Sequence, residues 1–144
     1  REFAGYTFCY NDTLLARRVH DVLSLIAFIR GDGRTESLAL VATDGAGPWA
    51  SLAASVAGKT IDRRIIDTGA FRFAKLRSYR DVNFLPGAVK YGDLPGMLSL
   101  SAPRSLTIVG DGIAPIVRKA YAASGAANKV RRMTLSKALS TLLD

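Results

Sequence analysis

Apolar positions along the chain fall into two alternating spacings. Leu15, Val19, Val22, Leu23, Ile26 and Ile29 recur every three or four residues, which places them on one face of a helix over Thr13–Arg30. Asn11 and Asp12 offer capping oxygens at its start and Gly31 offers a stop. Ser37–Thr43 is a continuous apolar run of strand length, the pattern of a parallel strand buried on both faces. Further strands are predicted over Ile61–Asp67, Arg104–Gly110 and Val130–Leu135, and a short aromatic one over Tyr6–Tyr10. Helices are predicted between them over Trp49–Ala57, with Pro48 at the first position and Gly58 at the end, and over Ala114–Ser124. A short one closes the chain over Lys137–Leu143.

The order β-α-β-α-β, an excursion, then β-α-β-α predicts one α/β domain over 1–144, a three-layer α/β/α arrangement around a mostly parallel sheet. The excursion, 71–103, is broken by Pro86-Gly87, Gly92-Asp93 and Pro95-Gly96. It reads either as cover for the carboxyl edge of the sheet or, slightly ahead, as a crossover helix with a ragged approach.

Composition changes this picture little. Hydrophobic residues make up 49% and charged ones 22%, enough apolar material for a packed core. The densest apolar stretch, Leu23–Ile29, is far too short to cross a bilayer, so no membrane partner is expected. The formal charge of +8 comes from scattered pairs such as Arg17-Arg18, Arg63-Arg64 and Arg131-Arg132. With no nucleic-acid module beside them, they read as surface charge, and no nucleic-acid partner is expected. The single cysteine, Cys9, reads as a buried thiol within the first strand. Nothing in the pattern points to a metal or a resident cofactor, and the chain starts at Arg1, which reads as a piece of something longer.

The chemistry concentrates in Val41–Pro48, VATDGAGP, where a buried strand runs through a glycine-rich turn into a helix. Three constructions share that layout. A nucleophile elbow, G-x-S-x-G, fits Thr43-Asp44-Gly45-Ala46-Gly47 with Gly45 in place of the nucleophile. Shifting by one residue centres Asp44, a carboxylate nucleophile that needs a base to release its ester. The one histidine, His20, lies in the preceding helix, and the loop after the last strand reads Leu135-Ser136-Lys137, so Asp44 is better read as a turn residue. A dinucleotide fingerprint is met by Gly45-x-Gly47-x-x-Ala50, with Asp67 about 20 residues on. The third construction is an anion site built from the amides of Gly45, Ala46 and Gly47, set against the plain alternative that these glycines let the helix pack on the sheet.

The segments YNDTLLARRVHDVLSLIAF, SLALVATDGAGPWASLAAS, IDRRIIDTGAFRF and FLPGAVKYGDLPGMLSL resemble the C-terminal half of bacterial acetylxylan esterase-like proteins of the α/β-hydrolase superfamily, from about Tyr6 to about Asp111. The resemblance implies a partial α/β-hydrolase fold in which Tyr6–Tyr10 precedes the elbow strand. It maps the elbow onto Thr43–Gly47 and the triad acid onto Asp111, with Asp67 a poorer match. The serine and histidine positions have no counterpart. It further implies a chain that is non-catalytic alone, a structural or binding component whose sheet is completed by a missing N-terminal segment or a separate chain. The alternatives are a composite esterase site completed by that companion and, from the fingerprint above, a Rossmann-type dinucleotide-binding domain; a homo-oligomer is the other partner arrangement. Trp49 reads as packing and Tyr79-Arg80-Asp81 as a solvated loop.

Overall fold

The computed structural model describes residues 8–142. The first long helix, α1, spans Leu14–Gly31. Its cap is Thr13 rather than Asn11 or Asp12. The threonine backbone is extended, and its hydroxyl accepts the Ala16 N–H at 3.1 Å, which satisfies one of the donors a helix start leaves open. Gly31 stays inside the helix, and the left-handed residue beyond it is Gly33. The predicted first strand is corrected here: Phe8 is helical and Cys9 and Tyr10 form a turn, while Tyr6 and Thr7 lie outside the described residues. Cys9 is accordingly exposed, not buried.

Four strands follow, β1 Ala39–Ala42, β2 Arg63–Asp67, β3 Leu106–Val109 and β4 Val130–Arg132. They form one parallel sheet in the order β1-β2-β3-β4. Val41 lies opposite Ile65, Ile65 opposite Thr107, and Thr107 opposite Arg131. The connecting helices are α2 Gly47–Ala57, α3 Asp93–Ser99 and α4 Pro115–Ala123. When neighbouring parallel strands follow one another in sequence, right-handed crossovers send every connecting helix to the same face. The contacts agree: α1 packs on α2, α2 on α3 and α3 on α4.

Side chains alternate across the sheet, so the two faces have different covers. Ala42, Ile66, Leu106 and Ile108 point into the helical layer and meet Leu15, Ala50, Leu94, Val117 and Tyr121, all buried. Each fully buried Ile or Leu there contributes roughly 1.5–3 kcal/mol. Ile65 and Val109 point the other way and are covered by Ala138 of the short helix α5, Leu135–Ser140. The three-layer parallel α/β arrangement is therefore present with unequal outer layers. β1 departs from expectation: Val41 is 36% exposed, because α5 reaches β2 and β3 but leaves the edge strand uncovered on that face.

The excursion is a crossover with a ragged approach. Asp93, at φ +60°, accepts the N–H groups of Phe73 at 2.7 Å, Ala74 at 3.0 Å and Leu94 at 2.6 Å. That carboxylate ties the loop near Phe73 to the start of α3, and Phe73, Ala88, Leu94 and Leu98 are buried beneath. At the opposite end of the sheet, Arg64 is 1% exposed and donates to the carbonyls of Ile61 (2.9 Å) and Gly58. It thereby satisfies carbonyls of the turn that joins α2 to β2.

Candidate functional site at the carboxyl edge of the sheet

β1 leaves the sheet at Thr43, and two consecutive left-handed residues, Asp44 (φ +50°) and Gly45 (φ +83°), reverse the chain. The turn closes with the Ala46 N–H donating to the Thr43 carbonyl at 2.9 Å, and α2 begins at Gly47 with Pro48 in its first turn. A glycine takes such a φ freely, whereas an aspartate does so at a cost of about 1–2 kcal/mol. The strained non-glycine position of this bend is therefore Asp44. That favours the frame centred on Asp44 over the one centred on Gly45 as the geometric counterpart of an elbow nucleophile. In the Asp44 frame the following amide is that of Gly45. In the Gly45 frame it is that of Ala46, already spent on Thr43.

Gly47 answers the question of what these glycines are for. A Cβ there would lie 2.1 Å from the Asp67 carbonyl oxygen and 3.1 Å from the Thr68 Cα, both backbone atoms. The start of α2 thus abuts the end of β2, and Gly47 is a packing requirement. The same turn is stitched to β3. Thr68 donates to the Val109 carbonyl from its N–H at 3.0 Å and its hydroxyl at 3.2 Å, and Asp67 Oδ1 accepts the Gly69 N–H at 3.0 Å. A Cβ on Gly110 would lie 2.3 Å from that same Asp67 oxygen. Asp67 is therefore a packed turn residue at the carboxyl edge.

Asp111 follows β3. Its Oδ2 accepts from an Arg72 guanidinium nitrogen at 2.5 Å, and its Oδ1 accepts the Gly112 N–H at 2.7 Å. Burial alone would raise its pKa. The hydrogen bonds from Arg72 and Gly112 and the charges of Arg72 and Lys75 outweigh burial and hold the carboxyl below its ordinary 3.8. An orienting acid in a triad accepts from an imidazole. Here the partner is an arginine of the excursion, which also donates to the Phe71 carbonyl at 2.7 Å, so the pair clamps that loop to the end of β3.

Asp44 itself is exposed and lines an open cleft of about 450 Å³ with Arg18, Asp21, Val22, Gly45 and Trp49. Trp49 is half-buried, and the Arg18 guanidinium lies 5.9 Å from its ring centroid, a cation–π contact. His20 is exposed and lines a neighbouring hollow with Asp12, Ala16, Arg17 and Asp21, but not the Asp44 cleft; Asp111 lines neither. The structure thus brings Asp44, Gly45 and Trp49 together and leaves Asp111 with Arg72. Arg18, Asp21 and Val22 had a readable signal, since Asp21 and Val22 lie three and four residues beyond Arg18, the spacing of one helical face. Arg72 had none, because nothing local connects it to a residue 39 positions later.

Among the described residues no group of three His, Cys, Asp or Glu side chains could hold a metal ion, and no helix is long and apolar enough to cross a membrane. Comparison with protein-family models, with curated proteins and with solved structures finds no match to this chain.

Proposed function

We propose that this chain is the carboxyl-terminal portion of an α/β-hydrolase-type domain, esterase-like in ancestry, that performs no triad chemistry by itself and acts as a structural or binding component. The observation that carries the reading is the strained bend at Asp44-Gly45, placed where a parallel edge strand enters a helix. Strand, strained turn and helix are the architecture of a nucleophile elbow, and an acid at Asp111 after the second following strand respects the chain order of such enzymes. Four helices on one face with a single terminal helix on the other suit the same reading.

The chemistry is incomplete on three counts. The bend carries a carboxylate in place of a hydroxyl, Asp111 is engaged by Arg72, and the one histidine lines a different hollow. An Asp44 ester, if it formed, would have no base placed to activate water against it. The dinucleotide reading is weaker than it was on sequence. In that fold the middle glycine lets backbone approach pyrophosphate, whereas the space at Gly47 is filled by the Asp67 carbonyl.

The partner in this reading is a strand or strands continuing the sheet beyond β1. β1 is the edge of the described sheet, with Val41 exposed on its uncovered face. On the outer face of α1, Leu14, Leu25 and Phe28 are 46%, 58% and 78% exposed. An open strand edge flanked by apolar surface is a template for further pairing. A second copy of the chain could occupy the same edge.

The test is turnover of p-nitrophenyl acetate by this chain alone, beside Asp44→Asn and Asp111→Ala. The expected result is no rate above buffer for any of the three. A rate that disappears in Asp44→Asn would show a working carboxylate nucleophile and overturn the non-catalytic reading.

A further inference from the structure

The face of the sheet opposite α1–α4 carries a second feature, independent of the bend. Parallel strands are normally apolar on both faces because helices cover both. Here α5, with Met133 beside it, covers Ile65 and Val109, Val41 of β1 is left exposed, and toward β4 the face turns polar. Ile65, Thr107 and Arg131 lie side by side in register across β2, β3 and β4. Arg63 stands two residues earlier in β2, on the same face by strand alternation, and Ser105 just before β3 and Lys129 in the turn just before β4 lie beside it. These residues line a recess of about 240 Å³, closed at one side by Thr141 beyond α5.

Four basic residues line this recess; Arg64 is spent on the carbonyls of Ile61 and Gly58, which leaves Arg63, Lys129 and Arg131 beside the hydroxyls of Ser105 and Thr107, and no Asp or Glu lines it among the described residues. Arg63, Lys129 and Arg131 make no ion pair among those residues. Arg63 spends one guanidinium nitrogen on the Thr141 carbonyl at 2.6 Å, which fixes its side chain against the end of α5 and leaves other N–H groups of its fork. A held arginine, a second arginine, a lysine and two hydroxyls are the donor set for a tetrahedral oxyanion. The recess is smaller than the usual range for drug-sized ligands.

We infer that the recess formed by Arg63, Ser105, Thr107, Lys129 and Arg131 binds a phosphate group, free or as the head of a small phosphomonoester. The site lies away from Asp44 and does not depend on the hydrolase reading.

Two-dimensional NMR of the whole chain titrated with inorganic phosphate, and separately with phenyl phosphate, tests this at constant ionic strength. The expected result is saturable shifts centred on the amides of Ser105, Thr107 and Lys129–Arg131. Arg131→Gln and Lys129→Gln, both at exposed positions, should each weaken binding by about tenfold. Lys90→Gln, which removes one charge outside the recess, should leave affinity unchanged. The tighter of the two ligands identifies a free ion or an ester as the natural form. Absence of saturation, or equal weakening by Lys90→Gln and Arg131→Gln, would overturn the site and leave net charge as the whole effect.

Discussion

Gly47→Ala is the substitution on which the geometry of the bend is most exposed to refutation. Inside an ordinary helix the change would be favourable by roughly 0.5–1 kcal/mol, because glycine loses more backbone freedom on folding than alanine. At this position the new methyl would stand 2.1 Å from the Asp67 carbonyl oxygen, more than 1 Å inside ordinary contact. Neither side can yield cheaply. The carbonyl belongs to the end of β2, which is hydrogen-bonded to β3 through Thr68, and Gly47 opens α2 beneath the closed turn at Ala46. Overpacking of this kind costs about 1–3 kcal/mol, and the helix gain offsets only part of it. The expected net loss is about 1–2 kcal/mol. Gly45→Ala supplies the contrast. No atom lies within 4 Å of the added Cβ, but φ is +83°, so its cost of about 1–2 kcal/mol is conformational. Urea unfolding followed by far-UV circular dichroism gives both values. The two are separated by Gly47→Ser, whose larger side chain should lower the midpoint further, and by Gly45→Asn, which tolerates the left-handed region and should recover part of the Gly45→Ala loss. Should Gly47→Ala unfold at the wild-type midpoint or above it, the close approach of α2 to β2 is refuted, and with it the packing role of that glycine.

Two further outcomes follow from the buried polar groups. Arg64→Met should destabilise the chain by about 1–3 kcal/mol in the same urea assay, since the carbonyls of Ile61 and Gly58 lose their donor; an unchanged or higher midpoint would mean that relief of the buried guanidinium's desolvation wins instead. Tyr121 is fully buried with its hydroxyl donating to the Arg104 carbonyl at 2.7 Å, and burial pushes its pKa up from 10.0 to about 12, against the opposing charge of Arg64. Its folded form holds the proton that the unfolded chain releases, so this contribution is present below pH 10 and is lost as pH rises toward 12, a total of about 2–3 kcal/mol. Stability measured from pH 9 to 12 should therefore fall more steeply in wild type than in Tyr121→Phe, and parallel slopes would contradict it.

The arrangement at the carboxyl edge ties the two halves of the reading together. Asp67 serves α2 through its backbone carbonyl, Gly69 through its carboxylate, and the approach of Gly110 through the same oxygen. Asp111 one residue further on is held by Arg72. These contacts account for why the edge keeps its shape, since each acidic side chain there has a partner: Asp67 and Asp111 as above, and the exposed Asp44 the Thr43 hydroxyl, which donates to its Oδ2 at 3.3 Å. The strain at Asp44 persists because the turn closure and the Gly47 contact fix both of its ends.

By itself the sequence determined the type and order of the strands and helices outside 71–103 from Thr13 onward, because hydrophobic spacing is a local property that burial enforces along each element; inside that stretch it left edge cover and crossover both open and did not place α3. The parallel sheet and the location of the Val41–Pro48 bend followed from that order. Tertiary structure decided what no local pattern records. The stretch before Thr13 reads as β-favouring, yet Phe8–Tyr10 is helix and turn, because propensity does not hold where no neighbouring strand pairs with it. The partner of Asp111, the carbonyl that fills the space beside Gly47 and the basic row Arg63-Ser105-Lys129 all join residues 20 to 66 positions apart. Which residues meet at such distances is set by strand order and register, and only the folded sheet supplies those.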